Sequence, residues 1–353
     1  MTPIPDHDPT DYRKLALANW ITANTPESWH PINLQSLGSD AGFRRYFRFQ
    51  QPSHWLGVDA PPATEDSQQF AAIAKLITSH KVHAPGILAS DIAQGFLLVE
   101  DMGDRLLFRE LDNTHADQLY RQAIDTLLQL QTCEDNPTLI PRYDRSLLRR
   151  ELEIFTEWFV GKLLNYQISS TEQALLNQLF GVLEDNALSQ PQCFVHRDYH
   201  SRNLILRADD ELGVIDFQGA LWGAITYDLV SLLRDCYVRW PTEKVDEWAG
   251  YYYQQALNLK RFPQISKPEF LYWFDLIGLQ RHIKVLGIFA RLFLRDNKPG
   301  YLQDLPLVIR YIVEVANQHP LLHPFAEWFD LKLLPLATTQ FWYNDHRTAG
   351  DRK

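Results

Sequence analysis

The sequence predicts an α+β fold in which a small β-sheet carrying one helix precedes a larger, mainly helical part. Three observations lead there. Residues from about Pro31 to Asp101 alternate apolar and polar side chains as strands do, with a single helical stretch inside. Beyond Gly103 the apolar residues recur at helical spacing, and within that second part only the short runs "CFVH", "LIL" and "GVIDF" are strand-like. A chain of 353 residues that is 45% hydrophobic also has the length to bury a substantial core, as one two-lobed domain or two smaller ones.

Asp11 opens a first helix running to about Thr25, so residues 1–30 read as an N-terminal helical extension, 31–103 as the sheet part and 104–353 as the helical part. In the sheet part "INLQSL" and "RRYFRFQ" are two strands joined by "GSDAG", "WLGVD" is a third, and "GILAS" and "GFLLVED" are the last two, with Gly and Pro marking the turns. A helix from about Glu65 to Ser79 falls between the third and fourth. Further on, Asn113 or Thr114 opens a helix through about Gln131 and Asp144 opens one to about Leu164. Ser170, with Gln173 in the capping-box position, opens one through about Glu184. Helices follow at "TYDLVSLLRDCY", near Lys244 to Leu259, from Glu269 to Leu294 and at "LPLVIRYIVEVANQ".

Composition narrows the classes. A formal charge of −10 disfavours a polyanionic partner such as nucleic acid, although a local basic cleft can still hold phosphates. Cys133, Cys193 and Cys236 are odd in number and widely spaced, which suits reduced thiols and a cytoplasmic location. The polar, acidic start "MTPIPDHDPTDYRK" is unlike a signal peptide. The most apolar segment, "FLYWFDLIGLQRHIKVLGIFARLFL", is interrupted by Asp275, Arg281, His282, Lys284 and Arg291, so it reads as a buried helix and not a membrane span.

The chemistry concentrates in "FVHRDYHSRNLIL" and "GVIDF". Asp198 and Asn203 share a tight loop, and Asp216 follows a hairpin whose turn is "RADDE", so their oxygens can converge. Two carboxylates and an amide suit Mg²⁺, a hard cation that keeps waters for phosphate to replace, better than zinc. The chemistry implied is phosphoryl transfer, with one free acid to accept the proton of an attacking hydroxyl and two ligands for the metal. His196-Arg197-Asp198, four residues, then Asn203, followed by Asp216-Phe217 at a strand end, matches the whole catalytic-loop signature of kinases.

On these motifs the chain resembles the bilobal protein-kinase-like fold, and within it the aminoglycoside and choline phosphotransferases. Only ten residues separate Asp216 from Tyr227, and no Ala-Pro-Glu follows, which leaves no room for an activation segment. His200, two residues after Asp198, also resembles that superfamily's loop; it is either an active-site contact or a satisfied loop histidine. A closer likeness runs along nearly the whole chain: "LGSDAGFRRYFRF", "DAPP", "LLVEDMGD", "HRDYHSRNLI" and "VIDFQGALWGAITYDLVSLLRDCYVRWP" look like the bacterial N-acetylmuramate/N-acetylglucosamine anomeric kinases of peptidoglycan recycling. The resemblance implies ATP and Mg²⁺ as cofactors, an amino sugar as the partner molecule and a sugar 1-phosphate as product. It implies Asp198 as base and Asn203 with Asp216 on the metal.

Two departures matter. The loop "GSDAGF" keeps only Gly38 and Gly42 of a phosphate-cradling pattern, leaving Ser39, Ala41 and Gly42 as small residues whose amides can approach phosphate. The third strand carries Asp59 where the fold usually has a phosphate-binding Lys, and none of Lys14, Lys75 and Lys81 lies on a strand. Arg44 and Arg45 are the candidate replacements; strand alternation points one of them to the cleft, and Asp59 can orient it, or the run is a solvated strand face. Main chain from Glu100 to Met102 is expected to meet adenine. For the acceptor the candidates are Arg281, either a partner for a carboxylate or a charge snorkelling from a buried helix, and the rings of Trp222 and Tyr227, which either stack on a sugar or pack in the core. Competing readings are a kinase for another small alcohol, such as an aminoglycoside or choline, and a nucleotide-binding pseudokinase.

Overall fold

The structure is a computed structural model that describes residues 11–39, 43–49 and 54–351. Its chain divides into two compact units, one holding the residues up to Leu106 together with Leu204–Gln218, the other holding Leu107–Asn203 and Gly219 onward. Among the described residues no helix is long and apolar enough to cross a membrane.

The first unit begins with α1 (Tyr12–Ala23), capped by the Asp11 carboxylate, which accepts from the Lys14 amide at 3.0 Å. Strands β1 (Leu34–Ser39), β2 (Arg45–Phe49) and β3 (Trp55–Asp59), helix α2 (Ser67–Ser79), and strands β4 (Ile87–Asp91) and β5 (Phe96–Glu100) follow. The five strands form one antiparallel sheet in the order β1-β2-β3-β5-β4. Their alternation turns Phe47, Phe49, Phe96 and Leu98 to one face, where Leu17 and Ile21 of α1 cover them in a small core. The expected extension is thus part of the sheet unit.

The second unit takes up α3 (Leu107–Glu110), α4 (Ala116–Leu130), α5 (Arg145–Ile154), α6 (Ser170–Ser189) and β6 (Gln192–Val195). The chain then supplies β7 (Leu204–Leu206) and β8 (Leu212–Val214), a hairpin of the first unit. This hairpin is why the units do not divide simply near Gly103. The Leu206 amide donates to the Arg105 carbonyl and the Val214 amide to that of His83, both at 2.8 Å. Gly213 admits the Met102 methyl, which a Cβ there would meet at 1.9 Å.

The remainder is β9 (Leu221–Ala224), which pairs with β6, then α7 (Tyr227–Leu233), α8 (Thr242–Asn258), α9 (Lys267–Leu294), α10 (Leu305–Gln318), α11 (His323–Trp328) and α12 (Leu334–Thr338). Helix α9 is the axis of this unit, with every residue from Phe274 to Gly287 buried. Two of its buried charges, Asp275 and Lys284, are matched inside the protein. Asp275 accepts from Arg234 at 2.6 Å and from His319 at 2.8 Å, and Lys284 pairs with Glu151 at 3.1 Å.

Two expectations shift. The helix opened by Asp144 is α-helical only to Ile154 and continues as a π-helix over Phe155–Leu163. The junction lies against Gly287 of α9, where a Cβ would come within 2.5 Å of the Ile154 carbonyl carbon. The capping box of α6 uses Ser169 and Glu172, one residue earlier than expected. Glu172 wins because its carboxylate also accepts from the Tyr166 hydroxyl at 2.6 Å and the Trp328 indole at 3.0 Å, which hold it well below the usual carboxylate range.

Candidate active site

The segment after β6 is a loop fixed through its main chain by two buried aspartates. Asp228, in the first turn of α7, accepts from the amides of His196 at 2.6 Å and Arg197 at 3.0 Å. Asp235 accepts from the Ser201 amide at 3.0 Å, the Ser201 hydroxyl at 2.5 Å and the Tyr237 amide at 2.9 Å. Between these anchors the Asp198 carbonyl receives the His200 amide at 2.9 Å and the Asn203 side-chain nitrogen at 3.0 Å. Arg197 is held at φ +76, a left-handed conformation costly for a side chain of this size and sustained only by surroundings that over-determine it.

The Asp198 carboxylate is exposed. Partial desolvation by the crowded groups around it would raise its pKa, but Lys284, assisted by Arg197 and Arg281, outweighs that and leaves it below the usual aspartate value. Behind it, Glu151 of α5, 4% exposed, takes three donors: the guanidinium of Arg197, the phenol of Tyr143 and the ammonium of Lys284. Lys284 also donates to the Tyr227 hydroxyl at 3.0 Å. The loop therefore carries an ionised carboxylate with a surplus of fixed cations around it.

In the first unit Asp216 follows β8 with φ +65, again left-handed, and its Oδ1 accepts from the Gln218 amide at 2.6 Å. Phe217 stacks on Phe70 of α2 with ring centroids 4.9 Å apart, and the Arg44 guanidinium lies 4.5 Å from the centroid of Phe70. Arg44 is buried and 3.1 Å from Glu65, yet its guanidinium nitrogens make no well-aligned hydrogen bond among the described residues. Arg45 is committed elsewhere: Nε and Nη2 donate to Asp59 at 3.0 and 2.6 Å, and Nη1 donates to Asp11 at 2.5 Å. Asp59, fully buried, also accepts from Arg13. The aspartate in the place of the usual Lys is thus the centre of a structural ion-pair network.

Of the other nucleotide-side expectations, Ala41 and Gly42 lie outside the described residues, as does the side chain of Ser39. The amides of Glu100 and Asp101 donate to the carbonyls of Gly86 and His54. Met102 is buried against the β7-β8 hairpin.

Among the acceptor-side expectations, His200 packs edge-on to Tyr237, is held neutral chiefly by desolvation, and has a buried Nδ1 without a hydrogen-bond partner among the described residues. Arg281 is buried, with the Cys236 sulfur 3.3 Å from Nη1 and no carboxylate paired to it among the described residues. Tyr227 is 1% exposed and edge-on to Tyr143, so it offers no ring face to a sugar. Trp222 sits on β9 under the Arg142 guanidinium, and its main chain is bonded to Pro141 and Tyr143. The Tyr227 ring serves packing, whereas Trp222 is half-buried. Asp228, Asp235 and Glu151 went unnoticed in the sequence, where Lys284 reads only as a charge on a buried helix. The first two had a signal: acids seven residues apart, two helical turns, in the apolar run "YDLVSLLRD".

Fold and loop together define a phosphotransferase whose acceptor is a hydroxyl group. The chain belongs to the phosphotransferase enzyme family, whose APH model matches residues 33–265. It is 40% identical over 333 residues, 92% of this chain and 97% of the relative, to the N-acetylmuramate/N-acetylglucosamine kinase of Pseudomonas putida. In fold it is similar to the ethanolamine kinase of Plasmodium vivax, with a TM-score of 0.65 at 11% identity over 92% of this chain and 93% of that one. It is also similar to an ADP-bound aminoglycoside phosphotransferase, APH(2'')-Ib, with a TM-score of 0.55 at 16% identity over 84% and 97%.

Proposed function

We propose that the chain transfers the γ-phosphoryl group of ATP to the anomeric hydroxyl of N-acetylmuramate and N-acetylglucosamine in peptidoglycan recycling, in the cytoplasm. The observation that carries this reading is the likeness to the P. putida kinase of that name over nearly its whole length. The ADP-bound neighbour supports an adenine nucleotide as donor. The cations grouped around Asp198 also favour a neutral or anionic acceptor over a cationic aminoglycoside or choline.

Asp198 is the base in this reading. Exposed and ionised, it accepts the acceptor's proton as the hydroxyl oxygen attacks phosphorus, while Arg197 and Lys284, fixed by Glu151, keep it charged. The anomeric hydroxyl is more acidic than a primary alcohol, which eases that transfer. The donor chemistry fits a hard divalent cation: Asn203 uses its nitrogen on the Asp198 carbonyl, turning its oxygen the other way, and Asp216 supplies a carboxylate. Those two residues would hold Mg²⁺, which neutralises phosphate charge when bound.

Phosphate on the anomeric carbon removes the reducing end. Either sugar, incubated with enzyme, ATP and Mg²⁺, should lose reducing-sugar signal in step with ADP formed, and 1-deoxy analogues should not react. A product that still reduces would refute the anomeric assignment and leave the phosphotransferase standing.

A further inference from the structure

Arg202 is a cation of the catalytic loop whose guanidinium is paired with no carboxylate among the described residues. Its backbone is set on both sides, since Ser201 is anchored to Asp235 and the Asn203 amide donates to the His200 carbonyl at 2.9 Å. Its guanidinium carbon lies 3.5 Å from the centroid of Tyr237 and 4.9 Å from that of Phe108. Contacts of this kind restrict the group through its flat surface and leave its N–H fork available to a ligand. Among the described residues that fork makes neither a hydrogen bond nor an ion pair. Arg197, five residues earlier, is by contrast consumed by Glu151 and the Gly219 carbonyl.

The surroundings favour an anion. Tyr237 is braced by Phe289 and meets the edge of His200, whose neutral ring presents an Nδ1 unpartnered among the described residues. Buried Arg281 adds a second cation without a carboxylate. Of the acids near Arg202, Asp235 accepts from Ser201 and Tyr237, and Asp304, pushed up to about 6 by burial, attracts Arg202 without forming an ion pair with it.

N-acetylmuramate differs from N-acetylglucosamine by a lactyl ether ending in a carboxylate, the planar group that a guanidinium fork grips bidentately. Building on the function proposed above, we propose that Arg202, held against Phe108 and Tyr237, receives that carboxylate and so sets the preference between the acidic and the neutral sugar. The test is the ratio of kcat/KM for the two sugars, a quantity that partial misfolding does not move. Arg202→Met keeps an apolar stem against the rings and removes the charge. It should lower the N-acetylmuramate to N-acetylglucosamine ratio by about 10- to 100-fold, through KM, the range of one charge-assisted contact. Arg202→Lys, which keeps the charge and loses the fork, should fall between and carries the test if the Met variant does not fold. An unaltered ratio, or equal loss on both sugars, overturns the assignment. A wild-type enzyme that uses only the neutral sugar also overturns it and leaves the kinase reading intact. A wild-type enzyme that uses neither sugar sinks the functional reading itself.

Discussion

Buried aspartates organise both units, and they do so differently. In the second unit Asp228 and Asp235 accept main-chain amides of the loop that carries Asp198. In the first, Asp59 accepts the guanidinium groups of Arg13 and Arg45. An acid bonded to amides fixes the path of the backbone, and with it the direction of side chains one or two residues away. An acid bonded to arginines fixes side chains and withdraws their charge from other uses. The loop that carries Asp198 is therefore preorganised by its acids, whereas on the strands the acid ties down Arg45, one of two candidate phosphate binders.

The largest effect should come from the group that the amide-bonded scaffold presents. Asp198→Asn should lower turnover by about 10²-fold or more, the order of a general-base contribution, because the amide cannot take the proton. As the side chain is exposed, the melting temperature should move by no more than about 2 °C. Turnover near wild type would remove Asp198 from its role.

Next in size is the scaffold itself. Asp228→Asn replaces one amide acceptor by a donor, so one of the two loop amides loses its partner. Turnover should fall by about 10-fold and the melting temperature by on the order of 5 °C. There is also a pH signature. Burial pushes Asp228 up to about 7, so the folded protein holds a proton there in a range where the unfolded chain has released it. That stability is fully present below the ordinary aspartate pKa and is lost as pH rises toward about 7. Denaturant midpoints measured across pH 4–8 should show this slope in the wild type and lose it in the variant; parallel curves would mean that Asp228 is ionised throughout.

Legibility followed chain distance. Asp198, Asn203 and Asp216 could be read because their spacing within 19 residues is itself the signature. The sheet was legible for the same reason, as β alternation and turn residues are local. Glu151 and Lys284 could not be found that way: they are far apart in the chain, and only the packing of α5 and α9 makes them a pair. The capping box of α6 was ambiguous locally, with Ser169/Glu172 and Ser170/Gln173 equally good, and contacts to Tyr166 and Trp328 decided it. For Trp222 and Tyr227 an aromatic ring in sequence does not say whether it faces a ligand or the core. That is a matter of burial, which neighbours distant in the chain determine.

The smallest predicted effects separate Arg44 from Arg45, adjacent residues with opposite fates. Arg45 is about a third exposed, and its fork is spent on Asp59 and Asp11. Arg45→Ala leaves the buried Asp59 with Arg13 as its remaining guanidinium partner, so it should cost about 1–3 kcal/mol of stability while the KM for ATP stays within about twofold. Arg44 is packed on Phe70, whose ring also stacks on Phe217 next to Asp216. Among the described residues its guanidinium has no well-aligned hydrogen bond to lose, although the Glu65 ion pair would go. If it is the cation that serves the nucleotide phosphates in place of a strand Lys, Arg44→Ala should raise the KM for ATP by about 3- to 10-fold, with kcat lowered less. Steady-state kinetics and thermal melts of the two variants side by side decide the matter. A KM effect from Arg45→Ala that exceeds that from Arg44→Ala would show that Asp59 orients a phosphate binder and does not sequester it. Equal, small effects would make both arginines part of the strand's polar face, and the nucleotide phosphates would then depend on main-chain amides and the metal alone.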